Sequence, residues 1–209
     1  MKPRFSNEEA KTLARGIAEL EARTSAELVL VIRGASGSYR KVDFLGGSLA
    51  ALLPLAWMLF SPHEFHYVSV PLPIALVFLL GWRIMPQGRL RNCLTTRARR
   101  HRQVLESAST VFEARGIRKT SHRQGILVYC SLQERDAVIL PDEIAKTALG
   151  DPELLRFQGA FAEAAASTQP ARHLASTLRS FGVHLGRKMP ARGETRAQEL
   201  ADEIDFEAP

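Results

Sequence analysis

Two charge-free runs, set almost end to end, constrain this chain more than any other feature. Phe44–His63 (FLGGSLAALLPLAWMLFSPH) has twenty residues without Asp, Glu, Lys or Arg, and Phe65–Trp82 (FHYVSVPLPIALVFLLGW) has eighteen. A helix crossing the roughly 30 Å hydrocarbon core of a bilayer needs about 20 largely apolar residues. Both runs have that length, and the turn Ser61-Pro62-His63-Glu64 is too short to hold a domain. Pro54, Pro71 and Pro73 are better tolerated in membrane helices than in soluble ones. Trp57, Phe60, Phe65 and Tyr67 lie near the turn and Trp82 at the far end, where an interfacial aromatic belt belongs. The sequence predicts a transmembrane hairpin over 44–85, with spans 44–62 and 66–85. The alternative is a helical hairpin buried in a soluble core. Residues 1–25 are charged and amphipathic, so no signal peptide is expected there.

Flanking charge orients the hairpin. Arg33, Arg40 and Lys41 precede it; Arg83, Arg89, Arg91, Arg97, Arg99, Arg100 and Arg102 follow it, while the turn carries Glu64 and two histidines. By the positive-inside rule both flanks face the cytoplasm. The expected location is the cytoplasmic (inner) membrane, multi-pass, with both termini inside. A net charge of +6 invites an anionic partner. Thr95–Arg102 (TTRARRHR) reads as a topology signal that also touches anionic lipid head groups. No RNP-type aromatic motif, zinc-finger spacing or helix-turn-helix pattern points to nucleic acid. Two cysteines, Cys93 and Cys130, exclude a disulfide scaffold or a cysteine-rich zinc site.

A soluble domain is split around the insertion. Ser6 and Glu9 form a capping box, and Leu13, Ile17 and Leu20 recur at helical spacing behind it. Glu27–Ile32 is a β-branched run that reads as a strand covered on both faces. After the hairpin, Val104, Leu105, Ala108, Val111 and Phe112 form a second stripe, ended by Gly116. Gly125–Leu132 reads as a strand, Gln133–Asp136 as a turn and Ala137–Leu140 as another strand. Helices follow Asp142, Asp151-Pro152 and Pro170; Leu154, Leu155, Phe157 and Phe161 face the core in one, Leu174, Leu178, Phe181 and Leu185 in the next. Beyond Pro190 six acidic residues and two arginines predict a disordered tail. Strand, helix, strand is a parallel crossover unit. The expected fold class is α/β, a small mixed sheet sandwiched by helices and split by the inserted hairpin. The segments are 1–43, 44–85, 86–189 and 190–209.

Three stretches resemble the TPM domain: Phe5-Ser6-x-x-Glu9 with Glu21-x-x-Thr24-x-Ala26-Glu27-Leu28-x-Leu30-Val31; Arg102 and Val104 with Ala108-x-x-x-Phe112-x-x-x-Gly116-Ile117-x-x-Thr120; and Arg123-x-Gly125-Ile126-Leu127-Val128-Tyr129-x-Ser131-Leu132-x-Glu134-Arg135-x-x-Val138. The likeness covers roughly 4–33 and 95–187, as in a bacterial membrane-bound branch of that family. It implies an α/β sandwich with a small mixed sheet. It also implies roles linked to photosystem II repair, acid phosphatase activity or accessory functions beside membrane proteins. Acidic loop residues of that family are proposed for phosphatase or Ca²⁺ sites and are thinly represented in this chain; Asp142 and Glu143 follow the third strand where the family often has an acidic or glycine-rich turn, and Pro141 departs from that pattern.

The residues themselves leave the chemistry open. Glu134-Arg135-Asp136 either positions a phosphate or ion or is a solvated turn closed by opposite charges. Asp142-Glu143 supplies oxygens to a hard cation such as Ca²⁺ or simply suits a helix start. His63 and His66 have metal-like spacing without a third ligand. Cys130 reads as an inert core thiol. Glu27 is a candidate partner for Arg123. Ligands of open α/β sheets favour the C-terminal strand edge, where Arg33, Ser36, Ser131 and Glu134 lie. No GxSxG, Walker loop, CxxC or HExxH is present. The candidate residues for ligand or ion binding are Glu134, Arg135, Asp142, Glu143, Ser131 and Arg33, with no catalytic set and no resident cofactor. The expected function is a membrane-bound interaction or assembly module with a protein partner. The alternative is a membrane-bound phosphatase or divalent-metal hydrolase using carboxylates near Glu134 and Asp142.

Overall fold

Glu27–Arg33 (β1) and Gly125–Ser131 (β2) lie side by side although the whole insertion separates them. They pair in parallel from Glu27↔Gly125 to Arg33↔Ser131. The computed structural model of the chain describes residues 6–37, 39–63, 66, 70–84, 95–119, 123–191 and 205–207. The remaining elements are α1 (Asn7–Glu21), α2 (Arg40–Phe60), α3 (Pro71–Ile84), α4 (Arg97–Ala114), a 3-10 turn (Ile117–Lys119), β3 (Asp136–Pro141), α5 (Glu143–Leu149), α6 (Asp151–Ala166), α7 (Pro170–Lys188) and β4 (Asp205–Glu207). Two compact units result, Met1–Gly37 with Arg100–Pro209, and Ser38–Arg99.

The first unit is an α/β sandwich, as expected. β3 returns antiparallel to β2, and the sheet order is β3-β2-β1-β4. β4 corrects one expectation. The tail was to be disordered beyond Pro190, yet Asp205–Glu207 pair in parallel with Val31–Arg33. Without that partner β1 would present a row of unpaired backbone groups along the sheet edge. The two-residue period of the strands feeds two separate cores. Leu28, Leu30, Ile32, Ile126, Val128 and Cys130 point toward α1, α5, α6 and α7, while Val29, Val31, Leu127 and Tyr129 point toward α4. On α7 the expected stripe Leu174, Leu178, Phe181 and Leu185 is wholly buried. Two stripe assignments are corrected. Leu105 on α4 is 40% exposed and Leu155 on α6 is 66% exposed, because each lies off the face that reaches the sheet. The capping box is formed, with Ser6 N–H donating to Glu9 Oε2 at 2.7 Å and Glu9 N–H to Ser6 Oγ at 3.3 Å.

The second unit holds α2 and α3. Val42–Phe60 is long and apolar enough to cross a membrane; α3 has 14 residues and is shorter than the span expected over 66–85. The physical reason is Pro71: the residue before a proline avoids helical backbone, so the helix opens at the proline itself. The two helices touch through small residues. A Cβ on Gly81 would sit 3.0 Å from Ala50 Cβ and 3.1 Å from Gly47 Cα, and beside this contact Phe44 and Phe78 meet edge to face at 5.4 Å. Glu64, Phe65, Tyr67, Arg89, Arg91, Cys93 and Thr120, all used in the sequence reading, lie outside the described residues.

Cys130 is fully buried in the middle of the sheet, and that burial, reinforced by Asp136, pushes its thiol from 9.0 up to about 12. The folded chain therefore keeps this proton where an unfolded chain releases it. Stability from this group is intact below pH 9 and falls between pH 9 and about 12. Cys130→Val is expected to flatten that alkaline loss, by up to about 1.4 kcal/mol per pH unit. Urea denaturation of both proteins at pH 8 and pH 11 measures it; parallel losses would assign the effect to other groups.

Candidate functional site

The hairpin between β2 and β3 places a carboxylate where the sequence suggested open solvent. Ser131 pairs with Asp136, so the loop is Leu132–Arg135 and Asp136 already belongs to β3. Arg135 takes the left-handed conformation (φ 53°) that closes such a loop, and its side chain is exposed. Glu134 turns inward and is only 3% exposed, which corrects the reading of a solvated turn. A carboxylate is tolerated in such a place only when hydrogen bonds replace water. Here Ser36 N–H donates to both oxygens at 3.2 Å, Gly37 N–H donates at 3.3 Å, and Ser131 Oγ donates to Oε2.

Further donors knit the cage to its surroundings. Tyr129 OH and Ser36 Oγ are 3.0 Å apart, and Ser107 Oγ on α4 donates to Ser36 O at 3.0 Å. Leu132 N–H to Arg33 O (3.0 Å) and Gln133 N–H to Gly34 O (3.1 Å) prolong the β1–β2 pairing past the strands. Burial raises the Tyr129 phenol above its ordinary range, partly offset by the bond to Ser36 and the nearby Arg33, so it works as a neutral hydroxyl. Of the anticipated residues, Arg33, Ser36, Ser131 and Glu134 thus come together at the C-terminal strand edge. Tyr129 and Ser107 were missed. Tyr129 hides in a run that reads as pure core, and Ser107 stands one residue off a helical stripe.

The other candidates lie elsewhere. Because β3 runs back along β2, Asp142 and Glu143 sit at the opposite end of the sheet, about 20 Å away by strand rise. Asp142 is 5% exposed and caps α5, accepting from Glu143 N–H at 2.8 Å; its Oδ2 is buried without a hydrogen-bond partner among the described residues. Glu143 is exposed and pairs with Arg123 at 2.7 Å, so Arg123, weighed as a partner for Glu27, is engaged there. A single site built from Glu134 and Asp142 is therefore corrected: the two carboxylates cannot act on one substrate. Among the described residues no three His, Cys, Asp or Glu side chains gather in metal-binding positions.

A serine beside a carboxylate is the start of a nucleophile–base pair. Ser131 is fully buried and Glu134 nearly so, hence no substrate atom reaches either one in this conformation. What the cage does is hold. It ties the loop 34–37, the end of β2, the β2–β3 turn and α4 at the point where the chain leaves the α/β unit at Gly37. At the rim His101 of α4 lies 2.8 Å from Asp136.

Comparison with known proteins reaches the fold only. The chain is similar to the NMR structure of BA42 protein from the psychrophilic bacteria Bizionia argentinensis sp. nov., with a TM-score of 0.58 at 13% identity over 99% of this chain and 98% of that one. No protein-family model and no curated protein matches it.

Glu134→Gln and Glu134→Ala separate a holding role from mere proximity. Glutamine keeps one oxygen for Ser36 and Gly37 and offers an amide to Ser131, so a cost below about 1 kcal/mol is expected. Alanine strands the buried Ser131 hydroxyl and the half-buried N–H groups of Ser36 and Gly37, and is expected to cost about 2–4 kcal/mol. Chemical unfolding of the two variants is the check; equal costs would remove the cage from the account of stability.

Proposed function

We propose that the chain is an integral protein of the cytoplasmic membrane. In this reading the α2–α3 hairpin is the anchor and the α/β unit, a member of the TPM domain family, is a cytoplasmic interaction and assembly module. The observation that carries it is the apolar exterior of α2 and α3. Leu53 is 71% exposed, Leu59 76%, Phe60 84% and Leu72 75%, and no residue of α3 is buried. A surface of this kind on two neighbouring helices needs an apolar surrounding, and hydrocarbon supplies it. The glycine contact at Gly47 and Gly81 is the close approach by which membrane helices associate, since lipid gives them no hydrophobic drive to pair.

The sheet adds a requirement. β1 precedes the hairpin and β2 follows it, and the two are hydrogen-bonded neighbours, so both flanks lie on one side of any membrane. An even number of crossings satisfies this. At about 21 Å, α3 falls short of the roughly 30 Å core. The charge-free run begins earlier, at Phe65, and a local thinning of the bilayer costs only fractions of a kcal/mol per Å. The arginines on both flanks support a cytoplasmic α/β unit. The interaction role is supported by the cage: its polar groups are spent on holding the sheet edge and not on open chemistry. The hydrolase alternative has no observation in its favour beyond the family likeness.

Two measurements test the anchor. Alkaline phosphatase, active only outside the membrane, is expected to be active when fused after Ser61 and inactive when fused after Ala191; activity at the second fusion would overturn the orientation. Gly81→Leu, which drives a branched side chain into Ala50 and Gly47, is expected to lower the midpoint of thermal unfolding in detergent by several degrees, a cost of about 1–3 kcal/mol. A variant as stable as wild type would show that the two helices do not pack this way in the membrane.

A further inference from the structure

Between α6 and α7 the α/β unit leaves an open groove of about 420 Å³, within the size range of small-molecule sites. Arg156 and Phe157 of α6 line one wall; Ser180, Val183, His184 and Arg187 of α7 line the other. Its floor is apolar and fixed, because Phe157 packs on Phe181 at 4.9 Å within the core. The Arg156 guanidinium lies over the Phe157 ring, 4.6 Å from its centre, which holds its plane. His184 stands against the same ring at 5.4 Å.

The charges around this groove do not balance. One carboxylate, Glu153, serves two basic groups, 2.5 Å from His184 Nε2 and 3.5 Å from Arg156. Arg187 is exposed and has no ion pair among the described residues. α7 contributes Arg172, Arg179, Arg187 and Lys188 and not one acidic residue. Two guanidiniums with forked donors, a hydroxyl and an apolar floor match an anion of several oxygens carried on an apolar body.

We propose that the α6–α7 groove binds a phosphate ester with an apolar substituent, the phosphate held by Arg156 and Arg187 and the apolar part laid on Phe157 and Val183. Glu153 competes with the ligand for the same nitrogens and sets the affinity. Such an ester is either the head of an anionic phospholipid or a soluble phosphorylated metabolite. The proposal requires neither α2 nor α3 to lie in a bilayer, so its failure and that of the membrane reading are separate results.

The test is calorimetric titration of the full chain in a non-ionic detergent, using dihexanoyl phosphatidate and the soluble apolar ester phenyl phosphate as probes. Arg156→Ala with Arg187→Ala is expected to weaken binding about tenfold or more. Arg172→Ala with Arg179→Ala removes the same charge from α7 outside the groove and is expected to change it less than about twofold. Glu153→Gln, which spares the folded core, is expected to tighten binding several-fold. Groove-dependent binding of phosphatidate alone supports the proposal with a lipid source; groove-dependent binding of phenyl phosphate, with or without phosphatidate, supports it with a soluble one. Equal losses in the two double variants, weaker binding by Glu153→Gln, or no binding of either probe by wild type would overturn it.

Discussion

The parallel pairing of β1 and β2 is the constraint on which the rest of this structure depends. Seven residue pairs bind two strands whose connection is the entire second unit. Neither strand has a buried face of its own. β1 needs α1 and α7 on one side and α4 on the other, and α4 exists in sequence only after the insertion. The α/β unit therefore cannot complete its core until the chain has made α2 and α3 and come back. Any partner or membrane that takes up α2 and α3 must leave both ends free to meet. An insertion with this property is a tether, and the sheet is the clasp that closes it.

The Glu134 cage sits where that clasp would be weakest. Parallel pairing ends at Arg33 and Ser131, and beyond it the backbone groups of loop 34–37 must find partners or be left buried. Glu134 supplies acceptors for Ser36 and Gly37, and Ser107 supplies a donor for Ser36 O. Burying a carboxylate is costly, and several donors are needed to offset it. A local cost of this kind is easier to understand at the last ordered turn before the chain departs than at an ordinary hairpin. The same reasoning explains why Arg135, next in the chain, is exposed: its backbone closes the turn while its side chain has no place in the cage.

How much of this was legible in the sequence follows from which interactions are local. The capping box at Ser6 and Glu9, the stripe on α7 and the apolar strands follow from periodicity and composition, and those elements lie where the periodicity puts them. The C-terminal strand edge was legible too, because α/β topology says where loops converge, and it gathered Arg33, Ser36, Ser131 and Glu134. The inward turn of Glu134 was not, since the backbone donors of Ser36 and Gly37 that hold it come from almost a hundred positions away. β4 was hidden for the opposite reason. A short acidic segment carries the composition of a tail, and only the open edge of β1 gives it a partner. Leu105 and Leu155 were misjudged because one apolar residue beside a stripe looks like part of it until the packing partner is known.

The distribution of positive charge separates what topology explains from what it does not. Arg97, Arg99, Arg100 and Arg102 follow the second apolar run within the reach over which basic residues orient a membrane span. The cations of α7 begin at Arg172, far beyond that reach, and the core does not need them, since Leu174, Leu178, Phe181 and Leu185 do its packing. Helix electrostatics accounts for two of them: Arg187 and Lys188 lie in the last turn, where the dipole favours a cation. It does not account for Arg172, in the first turn of α7, or for Arg156, which lies on α6 and already shares its carboxylate with His184. Once topology, packing and dipole have been subtracted, Arg156 is left over at the groove itself, its guanidinium 4.6 Å from the centre of the Phe157 ring that forms the apolar floor.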